Sequence, residues 1–350
     1  MSTMKAMLLK EFSKPLVLEE IPIPEPGPGE VRIKLKACGV CATDIKTITG
    51  KMPFVKEFPF IAGHENAGVI DKFGEGTGNG ELKLGDRVCI FHIDSCGECW
   101  YCKHKLPAMC RNIKGLIGMS RNGGFAEYLV APEKCLVPIP DNITFEQAAV
   151  ATDSVTTAVH ALMERLDVQE GDPVLIMGVG GLGSNGIQIA KHMGAKVIAA
   201  DIDDGKLAMA EDLGADYVFN TTKVDLAEEC RKVTDGMGVK WSADFAGQPI
   251  ATQTALSCLA PEGVQAQPGY SVVKPTFEIN SFALVSNEIE IRGSRGPTVW
   301  SCRKAIELVS SGAVNPQIDP QHTGTLEDLN WILDDLAAGK VAGRAVIKYD

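Results

Sequence analysis

The sequence predicts an α/β protein in which a β-rich domain precedes a doubly wound parallel sheet. Up to about residue 140, short alternating or β-branched runs such as VRIKLK at 31–36 are separated by segments rich in proline and glycine, which is typical of strands and turns. Beyond residue 142, apolar strands alternate with helical segments, as in βαβ units. The chain has 350 residues, more than one hydrophobic core usually supports, so we expect two domains.

Local patterns predict the individual elements of the second half. Thr144 is a suitable N-cap for a helix, because its side chain can accept a hydrogen bond from the first turn. Strands are expected where short apolar runs lie between glycine or polar residues, and helices where apolar residues recur every three or four positions. The predicted helices are 145–150, 155–166, 187–192, 301–311 and 326–338, and the predicted strands are 173–177, 195–200, 241–245 and 343–348.

The charge and apolar patterns argue against two classes of protein. The formal net charge is −11, and no clustered Lys/Arg face is present to neutralise phosphates, so we expect no nucleic-acid partner. No stretch approaches the ~20 apolar residues of a membrane-spanning helix, and residues 1–10 lack the apolar core of a signal peptide. We therefore expect a cytoplasmic protein with no membrane partner.

Four cysteines lie within fifteen residues, in the run that contains Cys96, Cys99, Cys102 and Cys110. Two-residue gaps let a turning backbone present successive thiolates to one ion, and zinc takes four sulfurs at tetrahedral corners about 2.3 Å away. The alternatives are disulfides and packed free thiols, and the odd total of eleven cysteines disfavours disulfides. The spacing predicts a structural zinc site that cannot bind substrate, because four thiolates fill its coordination.

A glycine-rich turn follows the predicted strand 173–177 and precedes an apolar helix. Glycines there let the backbone turn tightly and approach a pyrophosphate at the helix N-terminus, although a tight turn between core elements has the same pattern. Asp201 ends the next strand, where a carboxylate binds the adenosine ribose, and no Arg or Lys follows it directly, so we predict NAD(H) over NADP(H). Lys206 is either a further cofactor contact or a solvated helix lysine. The predicted contacts in the turn are Gly178, Gly180, Gly181, Leu182 and Gly183.

Two further clusters lie in the β-rich region: CGVCATD at 38–44 and GHENAG at 63–68. Together with the cysteine run, the glycine-rich turn and the order of the domains, they resemble the zinc-containing medium-chain alcohol dehydrogenases, of the medium-chain dehydrogenase/reductase family, over nearly the whole chain. The resemblance implies a GroES-like catalytic domain with both zinc sites at 1–154, a Rossmann NAD-binding domain at 155–296, and a C-terminal segment at 297–350 that returns to the catalytic domain. It also implies a homodimer or homotetramer joined through the nucleotide domain.

By this resemblance, Cys41 and His64 bind a catalytic zinc, and Asp153 stands where the third ligand of the family falls. A thiolate, an imidazole and a carboxylate are all accepted zinc donors. The competing interpretation makes Asp153 the N-cap of the helix that follows it. Asp44 would hold the other ring nitrogen of His64, as ligating imidazoles generally require, and Glu65 could approach the metal transiently.

The resemblance also assigns roles around the metal. Thr43 would exchange the hydroxyl proton of the bound alcohol, although a threonine there could instead cap a turn. Arg344 matches an arginine that reaches the cofactor phosphates, and Thr157 matches a residue near the nicotinamide. The chain departs from the family at Lys46, where many members have a relay histidine, and at Ala42, where an arginine contacts the pyrophosphate.

The implied activity is that of a zinc-dependent, NAD(H)-linked alcohol dehydrogenase with two zinc ions per chain. Its expected substrates are small or medium primary and secondary alcohols, or the corresponding carbonyl compounds. Polyol and threonine dehydrogenases of the same family are the nearest alternatives, although polyol-type members usually supply glutamate as the third ligand. An alternative of another class is a non-catalytic redox sensor that binds NAD(H) as a regulatory ligand. A zinc-free quinone reductase is disfavoured, because such relatives generally lack the Cys41 and His64 pair.

Overall fold

The computed structural model describes residues 2–52, 54–296 and 298–350. The chain forms two compact units, and each contains more than one stretch of sequence. The first unit comprises Met1–Asp153, Pro297–Ser311 and Ile318–Asp350, and the second comprises Ser154–Gly296 and Gly312–Gln317. Residues 312–317 thus lie with the second unit, although the sequence groups them with the C-terminal segment.

Seventeen strands are found in the described residues. In chain order they are β1 (Thr3–Leu8), β2 (Val17–Pro22), β3 (Glu30–Val40), β4 (Glu65–Phe73), β5 (Arg87–Ile90), β6 (Ile93–Asp94), β7 (Gly115–Leu116), β8 (Tyr128–Pro132), β9 (Leu136–Pro138), β10 (Pro173–Met177), β11 (Lys196–Asp201), β12 (Tyr217–Asn220), β13 (Val239–Asp244), β14 (Leu259–Gln267), β15 (Glu290–Gly293), β16 (Ile318–Gly324) and β17 (Arg344–Lys348).

Eleven α-helices are found in the same described part of the chain. They are α1 (Ala42–Ile48), α2 (Trp100–Lys103), α3 (Phe145–Val150), α4 (Thr156–Val159), α5 (Gly183–His192), α6 (Asp204–Asp212), α7 (Leu226–Val233), α8 (Pro249–Ser257), α9 (Ser281–Ser286), α10 (Val299–Ser310) and α11 (Leu329–Ala337). No helix of the described residues is long and apolar enough to cross a bilayer.

The main sheet of the first unit has seven strands. Six follow the order β16-β17-β3-β4-β5-β9, and β8 also pairs with β3. The strands are antiparallel except for β16 and β17, which run parallel to each other. Alternate residues of β3 are buried, as expected for a strand that packs against a core on one face. One hydrophobic cluster joins α1 and α11 to β17.

The second unit contains a six-stranded parallel sheet in the order β12-β11-β10-β13-β14-β15. Numbered within the unit, this order is 3-2-1-4-5-6, that of a doubly wound nucleotide-binding fold. The central strands β10 and β11 are buried almost throughout, because helices cover both faces of such a sheet. The fold class predicted from the sequence is therefore confirmed.

The helical predictions around residue 150 have mixed outcomes. The helix over 145–150 is confirmed as α3, and the Thr144 hydroxyl accepts the Gln147 N–H at 3.2 Å. Helical structure over 155–165 is confirmed, but its prediction as a separate helix is wrong, because helical structure continues from α3 without a break. It runs through a π-helical turn at Ala151–Val155, then α4, then a π-helical stretch at His160–Arg165. No glycine or proline interrupts the chain there, and π-turns are common at functional sites.

Candidate metal centres and dinucleotide cavity

The four clustered cysteines bring their sulfurs together in the first unit. The Sγ atoms of Cys96 and Cys110 are 3.4 Å apart, and Cys99 Sγ lies 3.5 Å from Cys102 Sγ and 3.8 Å from Cys110 Sγ. Four sulfurs placed 2.3 Å from one zinc ion lie about 3.8 Å from each other, so the donor set fits a closed zinc site. Backbone N–H groups lower the pKa of Cys99 to about 6, which favours the thiolate that binds zinc.

A second group of possible ligands also lies in the first unit. It consists of Cys41, His64, Glu65 and Asp153, whose ligand atoms are all within 4.8 Å of one another. Asp153 Oδ2 is 3.7 Å from Cys41 Sγ and 3.8 Å from His64 Nε2. One thiolate, one imidazole and carboxylate oxygens are zinc donors, so this donor set also fits the metal.

Local structure explains why Cys41 stands at this place. Cys41 is the N-cap of α1, and its sulfur accepts the Thr43 N–H at 3.4 Å. Asp44 Oδ2 accepts the Cys41 N–H at 2.9 Å, which completes a capping box. Gly39 of β3 is required beside this turn, because a Cβ there would lie 2.1 Å from Glu65 Oε2.

Asp44 also orients the imidazole of the ligand group. Asp44 Oδ1 lies 2.8 Å from His64 Nδ1, and both side chains are almost fully buried. A carboxylate at Nδ1 keeps the proton there and leaves Nε2 to face Cys41 and Asp153. This is the contact that the sequence predicts for Asp44.

Asp153 lies in the π-helical turn at Ala151–Val155 rather than at a helix start, so its interpretation as an N-cap is wrong. Its carboxylate instead accepts a hydrogen bond from Arg344 Nη2 at 2.8 Å. Arg344 is 5% exposed and also pairs with Glu65, with Nε 3.1 Å from Glu65 Oε2. The structure therefore gives this guanidinium two carboxylate partners in the ligand group, whereas its predicted contact with cofactor phosphates stays a prediction.

The charges of the ligand group act strongly on one another. Burial, partly offset by the Arg344 charge, raises the pKa of Glu65 to about 8. Burial would also raise the pKa of Asp153, but the hydrogen bond and charge of His64, with the charge of Arg344, hold it well below its usual range. Burial alone would lower the pKa of His64, yet Asp44 and Asp153 raise it well above the ordinary value. Such an acidic, buried group is suited to a cation.

Thr43, Lys46 and Cys38 lie close to Cys41 in the sequence but are not members of the ligand group. Thr43 is half-buried in the first turn of α1, and Lys46 is half-buried one turn later. Burial lowers the pKa of Lys46, while the charges of Cys41 and Asp153 oppose that shift. Cys38 is a fully buried thiol outside the ligand group.

The second unit contains a cavity of about 380 Å³ at the carboxyl ends of its strands. Of the predicted cofactor residues, Gly178, Gly180, Asp201 and Lys206 line it, whereas Gly181, Leu182, Gly183 and Thr157 are not among its described lining residues. Gly178 has φ +88°, and a Cβ at Gly183 would lie 1.9 Å from the Gly178 oxygen, so the turn needs both glycines. A Cβ at Gly180 would meet nothing within 4 Å, which leaves open space for a ligand.

Asp201 is fixed at the wall of this cavity. Its Oδ2 accepts the Val179 N–H at 2.7 Å, and its Oδ1 accepts the Ile202 N–H at 2.7 Å. The fixed carboxylate favours ribose hydroxyls and opposes a 2′-phosphate. Ile202 and Ile250 also line the cavity, although they are 70% and 72% exposed. Sequence reasoning did not identify either isoleucine as part of the cavity wall, and the only signal in the sequence was the position of Ile202 directly after Asp201.

Comparisons with known proteins agree with this arrangement. The family model described as "Alcohol dehydrogenase GroES-like domain" matches residues 27–141, and "Zinc-binding dehydrogenase" matches residues 181–311. An alcohol dehydrogenase of Geobacillus stearothermophilus is 35% identical over 349 residues, which is 99% of this chain and 100% of the relative. An NAD-dependent alcohol dehydrogenase of Sulfolobus acidocaldarius is 36% identical and covers 99% of both chains. The solved structure of acetophenone reductase from Geotrichum candidum in complex with NAD has a TM-score of 0.87 at 30% identity, over 99% of this chain and 97% of that one.

Proposed function

This chain belongs to the zinc-containing medium-chain alcohol dehydrogenases, and on that premise we propose which of its residues carry the reaction. The enzyme is an NAD-linked alcohol dehydrogenase that binds zinc. The observation that carries the proposal is the convergence of Cys41 Sγ, His64 Nε2 and Asp153 Oδ2 in one small volume. These three side chains hold the catalytic zinc, and the four clustered cysteines hold the structural zinc.

The bound groups supply the redox chemistry. Held by Cys41, His64 and Asp153, a zinc ion would supply Lewis-acid polarisation of an alcohol or carbonyl oxygen, and a bound nicotinamide would supply or accept the hydride of the carbon that bears this oxygen. The substrates are small or medium primary and secondary alcohols and their carbonyl counterparts.

The chain's own residues orient the ligands and move the proton. Asp44 keeps the proton of His64 on Nδ1, so that Nε2 is a lone-pair donor. His64 and Arg344 together keep the carboxylate of Asp153 ionised, and the hydrogen bond from Arg344 holds it in place. Thr43, two residues after Cys41, accepts the hydroxyl proton of the substrate at its Oγ1 and passes it outward. Glu65 lies within 4.0 Å of His64 Nε2, where it serves as a transient ligand.

Two further proposals concern the state of the enzyme. We expect a cytoplasmic location, because none of the eleven cysteines forms a disulfide, as is usual in a reducing compartment. We also expect a homodimer or homotetramer that associates through the β15 edge of the second unit. Phe282 and Val285 of α9, the helix that directly precedes β15 in the chain, are 80% and 75% exposed. Phe282→Glu should reduce the mass measured by light scattering, whereas Met237→Glu, at another exposed apolar residue, should leave it unchanged.

Metal analysis and a substrate screen test the central proposal. The purified protein should contain two zinc ions per chain and should reduce NAD with simple alcohols more readily than with polyols or threonine. Cys41→Ser and Asp153→Asn should each lose one zinc ion and nearly all turnover while keeping NADH binding. One zinc ion per chain, NADH binding and no turnover across the alcohol, polyol and ketone panel would instead identify the sensor.

A further inference from the structure

A buried ionic cluster lies in the first unit outside both groups of possible metal ligands. His322 on β16 is 6% exposed, and its Nδ1 lies 2.8 Å from Asp319 Oδ2 on the same strand. Its Nε2 lies 3.3 Å from Asp335 Oδ2 on α11, and its ring centroid is 5.5 Å from that of Trp331 on the same helix. The imidazole therefore joins the strand to the helix.

The two carboxylates of this cluster also hold the segment that leads into β17. Asp319 Oδ2 accepts the Ala342 N–H at 2.8 Å, and Asp335 Oδ1 accepts a hydrogen bond from Lys340 Nζ at 2.7 Å. Ala342 lies two residues before Arg344, which is the first residue of β17 and the partner of Asp153. The cluster thus fixes the backbone just before the guanidinium that neutralises the ligand group.

The helix held by His322 also packs against the helix that begins after Cys41. α11 packs against both α1 and β17, and its Leu329 and Ile332 share a hydrophobic cluster with Ile48 of α1 and Ile347 of β17. α1 begins directly after Cys41, and β17 begins at Arg344. A shift of α11 would therefore move the helix that Cys41 caps and the strand that begins at Arg344.

Protonation of His322 decides how strongly the helix is held. Burial lowers the pKa of His322, but Asp319 and Asp335 outweigh this effect and raise it above the ordinary value. In the neutral ring, Nδ1 keeps its proton and still donates it to Asp319, whereas Nε2 presents a lone pair to the Asp335 carboxylate. The hydrogen bond from His322 to α11 is therefore lost as the pH rises through the raised pKa of His322. Other charged groups on the packed elements have partners of their own, and Asp334 of α11 is exposed to solvent. The pairs are Lys340 with Asp335, Arg344 with Glu65 and Asp153, Lys348 with Glu146, Lys5 with Glu327, and Asp328 with Thr325 and Trp331.

We propose that the Asp319–His322–Asp335 cluster positions the catalytic zinc site, acting on Cys41 through α11 and on Arg344 through the start of β17. His322 touches neither the ligands nor the substrate, so it is a positioning residue. The inference rests on the proposed assignment of Cys41, His64 and Asp153 as ligands.

The test measures how fast each zinc ion passes to a chromogenic chelator between pH 6 and pH 10. In His322→Gln and Asp335→Asn, zinc from the Cys41 site should leave about tenfold faster at pH 7, the effect of losing one charge-assisted hydrogen bond. Zinc from the four-cysteine site should leave at the wild-type rate. The wild-type rate at the Cys41 site should rise toward that of His322→Gln as the imidazole loses its proton, and His322→Gln should lack this step.

The matched control is Asp334→Asn, which makes the same change at an exposed neighbour on α11 and should release zinc as the wild type does. Wild-type release from His322→Gln would overturn the positioning role, and so would equal acceleration at both zinc sites, because that would indicate general destabilisation. Cys41→Ser distinguishes a failure of the positioning role from a failure of the ligand assignment. If it loses the Cys41-site zinc while His322→Gln releases normally, only the positioning role fails, and if it retains both zinc ions, the ligand assignment fails as well.

Discussion

Replacing Asp44 with asparagine should weaken catalytic zinc binding sharply without a large change of shape. The two oxygens of Asp44 receive different donors: Oδ1 faces His64 Nδ1 at 2.8 Å, and Oδ2 accepts the Cys41 N–H at 2.9 Å. An asparagine has one acceptor oxygen and one donor amide, so it can satisfy only one of them. If the oxygen keeps the Cys41 N–H, the amide faces Nδ1 and moves the ring proton to Nε2, the nitrogen that would bind zinc.

The size of the effect follows from these contacts. Loss of the partner that orients a ligating histidine typically costs 10–100-fold in metal affinity, or about 1.4–2.7 kcal/mol. We expect the upper end for Asp44→Asn, because the same carboxylate also fixes the backbone of Cys41, and because a donor left unpaired at a fully buried side chain is costly.

Competition with a chelator at pH 7.5 measures this affinity directly. Asp141→Asn is the control, since the Asp141 side chain is fully exposed and lies in the same unit. The structural zinc of Asp44→Asn should remain bound, which excludes unfolding as the cause. Catalytic zinc affinity within about threefold of the wild type would refute the reasoning that Asp44 sets the tautomer of His64.

Three other predictions follow from the sites. Cys99→Ser removes one corner of the closed zinc site, so it should lose the structural zinc and lower the melting temperature while NADH binding persists, as metal analysis and calorimetry would show. Zinc uptake by the metal-free protein at pH 7 should release protons, because the pKa values of His64 and Glu65 are raised. The zinc affinity should therefore increase from pH 6 to pH 8, and an affinity that does not change with pH would contradict this argument. Asp201→Asn should reduce the preference for NAD over NADP by about tenfold in kcat/KM, because the repulsive charge beside the ribose is lost; an unchanged ratio would show that another group sets it.

Features with a local cause could be predicted from the sequence. The spacing of the four cysteines brings their sulfurs together within one loop, and the glycines at 178 and 183 are required by a turn of six residues. The parallel order of the second unit follows from the alternation of strands and helices. The continuous helix through Asp153 was missed, because a π-turn inserts one residue into a helix without a glycine or proline to mark it.

Features that depend on distant pairings could not be predicted. Arg344 is 279 residues from Glu65 and 191 from Asp153, and family resemblance directed attention to cofactor phosphates instead. One partner of His322, Asp335, lies thirteen residues away on α11, so this contact is likewise set by how that helix packs against β16. In each case the local pattern is ordinary, and only the packing of separate elements creates the buried charge.

The position of β17 within the first unit has a consequence for synthesis. This strand contains the last residues of the sheet, yet it lies between β16 and β3, in the interior of the strand order. Residues 154–296 of the second unit emerge from the ribosome as one continuous stretch and can fold while the first unit still lacks that strand. Until residues 344–348 are synthesised, Glu65 has no guanidinium beside it and residues 37–40 of β3 lack their partner strand, so the metal-binding half of this enzyme is completed only after residues 154–296 have been made.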